Sequence, residues 1–317
     1  MGSLLSVLEV KRYYEVRRSV FSVEKEMIKA VDGVSFELEA GRTLGVVGES
    51  GSGKSTLARC LMLLERPDSG RITFDGVDLL AAGPAQIRKI RRKLQIIFQD
   101  PYSSLNPRMT VRDIIAEPLK FHRMVDGPGG VDSRVVEILK SVGITDDFLK
   151  KYPHEMSGGQ RQRVAIGRAL ATEPALVVAD EPVSSLDVSI QAQIINLFID
   201  IREKLNIAMI FISHDLNIVR FISDNILVLY KGKVVEMGGR DQVFLNPLHP
   251  YTKMLIAAAG GEFSLKPEPT NGSGPGQCPY YDKCKDRTAI CSSQAPELKG
   301  GNEHRVACHS PSASCRV

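Results

Sequence analysis

Gly48-Glu49-Ser50-Gly51-Ser52-Gly53-Lys54-Ser55-Thr56 constrains this chain more than any other stretch. The apolar run Thr43-Leu44-Gly45-Val46-Val47 precedes it and reads as a buried parallel strand. Leu57 to Leu64 follows and reads as a helix. A strand, a glycine-rich loop closed by Gly-Lys-Ser, and a helix form the setting of a phosphate-binding P-loop. Glycines let backbone N–H groups converge on phosphate oxygens, and the helix N-terminus adds partial positive charge. Gly48, Ser50, Gly51, Ser52, Gly53 and Thr56 then belong to the cradle. Lys54 neutralises the β- and γ-phosphates, and Ser55 offers its hydroxyl to Mg²⁺. A chance glycine-rich turn is the bland alternative, and the full pattern in its strand–helix setting weighs against it. The expectation is a nucleotide-binding chain.

The rest of the composition sets bounds on that reading. With 317 residues, 43% of them hydrophobic, there is material for one large α/β domain and something smaller. A net charge of +4, from 41 Lys+Arg against 37 Asp+Glu, implies no obligatory nucleic-acid partner. No apolar run approaches the roughly 18 residues of a membrane span, and the first residues do not resemble a signal peptide. The expectation is a soluble cytosolic chain that meets a membrane only through other proteins. Cys60 stands alone, whereas Cys278, Cys284, Cys291, Cys308 and Cys315 crowd the C-terminal part. In a reducing compartment such clustering points to metal before disulfide.

Residues 5–38 and Arg71–Phe74 read as short strands of an antiparallel layer beside the P-loop core. Arg88 to Lys93 is a basic run without interleaved aromatics, which favours a solvated helix face over a nucleic-acid patch. Leu94–Phe98, Ala175–Ala179 and Ile207–Ile212 read as further buried strands. From Thr110 to Lys151 the pattern is helical, with Asp126-Gly127-Pro128-Gly129-Gly130 expected as a loop that breaks it. Ser157-Gly158-Gly159-Gln160 leads into another helix, Arg161 to Ala171, and by itself is equally compatible with a plain loop. Helix 188–205 places Ile190, Ile194, Leu197, Ile201 and Leu205 on one face, expected to be core. Asn225–Tyr230 and Lys233–Met237 suggest a hairpin, and two short helices are expected within about 240–259. Gly272 to Gly276 reads as a flexible linker. Asp180-Glu181 and Ser213-His214-Asp215 close two of the strands, so polar groups gather at carboxyl strand ends, where α/β sheets bind ligands.

Taken together, these pieces resemble the ATP-binding subunits of ABC transporters. Lys54 lies in the Walker A loop, and Gln99 matches the Q-loop glutamine. Ser157-Gly158-Gly159-Gln160 matches the signature motif, with Met156 where leucine is commoner. Asp180-Glu181 matches Walker B with its catalytic glutamate, Ser185-Leu186-Asp187 the D-loop, and His214 the switch histidine. Gln99-Asp100-Pro101-Tyr102-Ser103-Ser104-Leu105-Asn106-Pro107 and Pro247-Leu248-His249-Pro250-Tyr251-Thr252 are similar to the dipeptide/oligopeptide/nickel importer branch, nearest its F-type ATPase.

The resemblance implies an α/β P-loop NTPase core with an antiparallel β subdomain, a helical subdomain insertion and a small cysteine-rich tail. The expected boundaries are 1–238 for the ATPase domain (helical subdomain about 100–158), 239–270 for a helical extension and 271–317 for the tail. It implies ATP and Mg²⁺ as ligands, with Ser55, Gln99 and Asp180 on the metal side. Glu181 would orient or deprotonate the attacking water, while His214 and Gln99 would contact and sense the γ-phosphate. Tyr14, with Tyr13 as backup, is the candidate to stack on adenine. Ser157, Gly158, Gly159, Gln160 and Asp187 would serve ATP held by a paralogous ATPase.

The further implied partners are two transmembrane permease subunits and, indirectly, an extracytoplasmic substrate-binding protein. That places the chain at the cytoplasmic face of the membrane, with peptides as default cargo and nickel or oligosaccharide as alternatives. A soluble ABC-type ATPase of DNA repair or chromosome upkeep shares the motifs but inserts long modules between Gln99 and Ser157, only 58 positions apart here. A GTPase would want an Asn-Lys-x-Asp motif, which is absent. In the tail, Cys278, Cys284, Cys291 and Cys308 have spacings that match neither tight zinc pairs nor ferredoxin runs, leaving zinc, cluster and disulfide open. The resemblance favours a [4Fe–4S] cluster, with zinc as alternative and Cys315 as a spare thiol.

Overall fold

Alternating apolar and polar residues near the start of the chain give two long strands, β1 (Leu5–Arg17) and β2 (Lys25–Leu38), in the computed structural model. The structure describes residues 2–17, 25–260, 276–301 and 303–311, so most of the expected linker and Cys315 lie outside the described residues. The P-loop runs from β3 (Thr43–Val47), buried along its whole length, to α1 (Lys54–Leu61). Then come β4 (Ser69–Phe74), β5 (Val77–Asp78), α2 (Pro84–Lys93) and β6 (Leu94–Ile97). Helices α3 (Pro101–Ser104), α4 (Val111–Phe121), α5 (Gly127–Ser141) and α6 (Gly158–Leu170) precede β7 (Leu176–Asp180). After α7 (Val188–Leu205) follow β8 (Ala208–Ser213), α8 (Leu216–Ile222), β9 (Asn225–Tyr230) and β10 (Lys233–Gly239). The C-terminal part has α9 (Arg240–Leu245), α10 (Pro250–Ala259), β11 (Lys299–Gly301) and β12 (His304–Val306).

These elements fall into two units. One is built on Ala81–Ile212 with Glu39–Arg42. In it β6, β7 and β8 pair in parallel, Leu94 opposite Leu176 and Leu176 opposite Ala208. β7 and β8 are wholly buried, which is why they read as unbroken apolar runs. Helices α4, α5 and α6 meet at Gly167, where an added Cβ would stand 3.2 Å from Ile115 and 3.3 Å from Ile138. The Gly-Pro-Gly-Gly stretch does not form the expected loop. It opens α5, because Asp126 is extended and Gly127 takes a left-handed φ of +70° that turns the chain into the helix. In α7, Ile194, Leu197 and Ile201 are core as expected, but Leu205 is exposed at the last turn, where Asn206 ends the helix in a left-handed conformation.

The other unit comprises Ser3–Leu38, Thr43–Leu80 and the chain from Ser213 on. It holds an antiparallel sheet in the order β2-β1-β4-β5, the layer that the alternation predicts. A second set of strands runs β11-β12-β10-β9-β3. β3 and β9 are parallel, with Leu44 opposite Asn225, and the β9–β10 hairpin is antiparallel. Gly45 lets α8 lie against β3, since a Cβ there would be 2.2 Å from Val219 Cγ1 and 2.4 Å from Ser223 Oγ. The tail joins through β12, which pairs with β10 at Glu236, Met237 and Gly238. Glu236 is fully buried. Its Oε1 accepts from the Leu248 N–H and His304 Nε2, and its Oε2 from the His249 N–H, each at 2.8 Å. One buried carboxylate thus ties three segments, and its oxygens are satisfied, as burial demands.

Candidate nucleotide site

The P-loop is shaped by close backbone approach. A side chain at Gly53 would put a Cβ 2.0 Å from the Ala30 carbonyl oxygen, and its φ of +106° is open to glycine alone at little cost. At Gly48 the Cβ would meet the Leu229 carbonyl oxygen at 2.2 Å. Lys54 opens α1, is only 4% exposed, and donates from Nζ to the carbonyl oxygens of Gly48 (2.8 Å) and Glu49 (3.0 Å). The ammonium is therefore held inside its own loop. Ser52 is also buried, and its Oγ lacks a hydrogen-bond partner, an orphan polar atom that a phosphate oxygen would satisfy. A buried cation, an orphan hydroxyl and glycine-lined backbone suit a polyphosphate.

Tyr14 reaches this loop from β1. Its hydroxyl donates to Glu65 and lies beside the Thr56 side chain, and the Arg12 guanidinium covers one ring face at 4.9 Å from the centroid. Burial and the Glu65 carboxylate raise its pKa. Tyr13 instead gives its hydroxyl to Asp32, and burial with that bond pushes its pKa up to about 12.

The other unit carries the acidic motifs. Asp180 ends β7 almost fully buried, and Glu181 follows with a left-handed φ of +46°. A residue with a Cβ pays about 1–2 kcal/mol for that conformation. It is held by the Glu181 N–H donating to Ile212 O (3.0 Å) and by Ser184 Oγ donating to Glu181 O (3.1 Å). Gln99 Nε2 donates to Glu181 Oε2 at 3.1 Å, so two residues 82 positions apart in sequence share one hydrogen bond.

The Ser-Gly-Gly-Gln stretch forms a capping box at α6, not a plain loop. Ser157 Oγ accepts from the Gln160 N–H (3.3 Å), and Gln160 Oε1 accepts from the Ser157 N–H (2.9 Å). Gly158 and Gly159 pack against Leu186 and Ile190, with added Cβ atoms at 3.2 and 2.6 Å. Asp187 stands at the N-terminal boundary of α7 without a side-chain capping bond, and Gln191 Nε2 donates to the carbonyls of Val183 and Leu186, both at 3.0 Å, fixing the loop before it. His214 follows β8 directly and is exposed.

The pattern of the ABC transporter family matches residues 31–184, and that of the oligopeptide/dipeptide transporter C-terminal region matches residues 235–291. The di/tripeptide transport ATP-binding protein DppF of Pseudomonas aeruginosa is 43% identical over 98% of this chain and 98% of its own length. The oligopeptide transport ATP-binding protein AppF of Bacillus subtilis is 44% identical over 97% of each. This chain is a peptide-type ABC transporter ATP-binding subunit. Among solved structures, the dimeric ATP-binding cassette MJ0796 bound to ADP and Pi is similar at a TM-score of 0.66 and 29% identity, covering 74% of this chain and 98% of that one. The importer ATPase fold is thus an α/β ABC ATPase, and the DNA-maintenance alternative falls away. No described helix of the subunit is long and apolar enough to cross a membrane.

In the tail, Cys278, Cys284, Cys291 and Cys308 all line one small cavity of about 20 Å³. Burial raises the thiols of Cys278, Cys284 and Cys308, and neighbouring thiols add to the effect. The Cys278 N–H donates to Cys291 O at 2.9 Å, bringing those two segments together. Among the described residues, however, no three His, Cys, Asp or Glu side chains are gathered as a metal-holding group. The expected cluster or zinc site is therefore not assembled: the thiols share a cavity, but it has room for about one water molecule.

Sequence reasoning missed two residues of this subunit. Tyr251 lies in the Pro247–Thr252 motif that carries the branch resemblance, yet no role follows from its sequence. Glu236 reads as the polar residue of an otherwise apolar strand, whereas it is the hub between hairpin, α10 and tail.

Proposed function

We propose that this chain powers uptake of di- or oligopeptides by hydrolysing ATP in a site shared with a paralogous ATPase. Nickel or oligosaccharide cargo would demand the same nucleotide chemistry. Lys54 and the P-loop N–H groups bind the phosphates, and Ser55, Asp180 and Gln99 hold Mg²⁺, which when bound neutralises phosphate charge. Glu181 orients and deprotonates the attacking water, His214 contacts the γ-phosphate and Gln99 reports its presence. The observation that carries this assignment is the Gln99–Glu181 hydrogen bond, which holds the proposed base against the residue proposed to sense the γ-phosphate. Tyr14 offers adenine the ring face that Arg12 does not cover. Ser157, Gly158, Gly159, Gln160 and Asp187 serve ATP on the paralogue's P-loop. The capping box supports this reading, since it fixes the signature stretch at the start of a helix. Two permease subunits anchor the pair at the cytoplasmic face, and a substrate-binding protein acts on them from the other side.

The test uses the assembled transporter. Glu181→Gln should bind Mg-ATP almost as tightly as the parent and hydrolyse it at least about a hundredfold more slowly. Lys54→Ala should lose binding itself. Near-parental turnover by Glu181→Gln would remove Glu181 from its role.

For the tail, the reading favours a [4Fe–4S] cluster on Cys278, Cys284, Cys291 and Cys308, with zinc as the alternative. The shared cavity supports the choice of ligands. Its size does not fit a four-iron cube unless the walls open, so no part of the ATPase chemistry is routed through it.

A further inference from the structure

The peptide between Gly48 and Glu49 has both of its polar groups engaged. Its carbonyl, that of Gly48, accepts from Lys54 Nζ at 2.8 Å. Its N–H, that of Glu49, donates to the hydroxyl oxygen of Tyr251 at 2.8 Å, although Tyr251 lies 202 residues further along the chain. A trans peptide is planar, with N–H and C=O pointing to opposite sides, so fixing one fixes the other. Among the described residues no peptide is cis.

The hydroxyl is itself placed with little freedom. Tyr251 has no exposed surface and packs in a three-ring cluster with Tyr230 and Tyr280, with ring centroids 4.5 and 5.5 Å away. Its backbone is pinned in the first turn of α10, where the Tyr251 N–H donates to His249 Nδ1 at 3.0 Å. On the side-chain side of Glu49, Lys283 Nζ stands 3.9 Å from Oε2. Lys283 is adjacent to Cys284, so the tail touches the same P-loop residue.

We propose that Tyr251 is a positioning residue for ATP binding: its hydroxyl sets the Gly48–Glu49 peptide plane, and that plane aligns Lys54. The C-terminal region is then part of the nucleotide-binding machinery. Removing the hydroxyl leaves the Glu49 N–H without its acceptor and lets the plane turn, so Lys54 starts from scattered positions. Water activation is untouched, because the residues assigned to it lie elsewhere. The effect therefore falls on affinity and spares the chemical step.

This rests on the reading of Lys54 as the phosphate-binding cation, and the experiment separates the two. In the assembled transporter, Tyr251→Phe should raise the KM for ATP about tenfold with kcat within about twofold, the size expected for one lost hydrogen bond. The Kd of the purified chain for Mg-ATP should rise in parallel. Tyr280→Phe is the control, because it removes a hydroxyl from the same ring cluster, one that donates to Met254 Sδ at 3.6 Å and not to the P-loop. Its KM should not change. An unchanged KM for Tyr251→Phe overturns the proposal, as does an equal rise in Tyr280→Phe, which would mean cluster packing alone. If Lys54→Ala retains full ATP affinity, the reading of Lys54 fails instead.

Discussion

His249 shows how burial sets the behaviour of a single side chain. It is 2% exposed, its ring nitrogen Nδ1 caps α10, and desolvation lowers its pKa to about 4. The folded value lies below the unfolded one of roughly 6.5, so the unfolded chain takes up the proton first. The stabilisation is whole above pH 6.5 and is lost as the pH falls toward 4. At pH 5 the loss is about 2 kcal/mol, from 1.36 kcal/mol per unit of pH below the unfolded value. His249→Asn keeps an oxygen that can cap the helix but removes the titration. In urea unfolding at pH 7.5 and pH 5, the parent should lose about 2 kcal/mol more than the variant. Parallel losses would show that His249 does not carry the acid sensitivity.

At the scale of elements, the contact between α8 and β3 turns on the missing side chain of Gly45. Gly45→Ala puts a methyl within 2.4 Å of both Val219 and Ser223, so the helix must shift or the strand must bend. Overpacking of this kind costs about 1–3 kcal/mol. It should appear as a lower Tm together with weaker ATP binding, because β3 leads into the P-loop. An unchanged Tm would mean that α8 moves freely. Gly45 also marks what the sequence could and could not disclose. The strand and P-loop were legible because apolar runs and glycine spacing are local signals. The capping box at Ser157 and Gln160 was visible as residue types three apart, but only the hydrogen bonds make it a helix start rather than a loop. The Gln99–Glu181 and Tyr251–Glu49 bonds were not legible. Neither has a local signature, since each joins segments that the fold alone brings together. The Gly127 stretch misled in part: glycine and proline do mark the break between α4 and α5, but the break lies just before Gly127, and the Gly-Pro-Gly-Gly residues themselves open α5.

For the whole molecule, the tail carries a prediction that metal content tests. Anaerobically purified protein should carry about four irons per chain if Cys278, Cys284, Cys291 and Cys308 hold a cluster, and Cys284→Ser should lose them. Loading should raise the Tm, since metal held by the folded tail adds its binding free energy to folding. Zinc without iron, or iron unchanged in the variant, would defeat the cluster. The tail also bears on the order in which the protein can be made. The unit that carries the P-loop is discontinuous: β3 pairs with β9, Glu49 leans on Tyr251 and β10 receives β12. The other unit is nearly one continuous stretch, Ala81–Ile212. On a ribosome the continuous stretch can close while the P-loop, already synthesised, still waits for the strand and the tyrosine that complete its surroundings. Chains cut short before Tyr251 would then carry every nucleotide motif and still lack a finished P-loop, so competence for ATP arrives only near the end of translation.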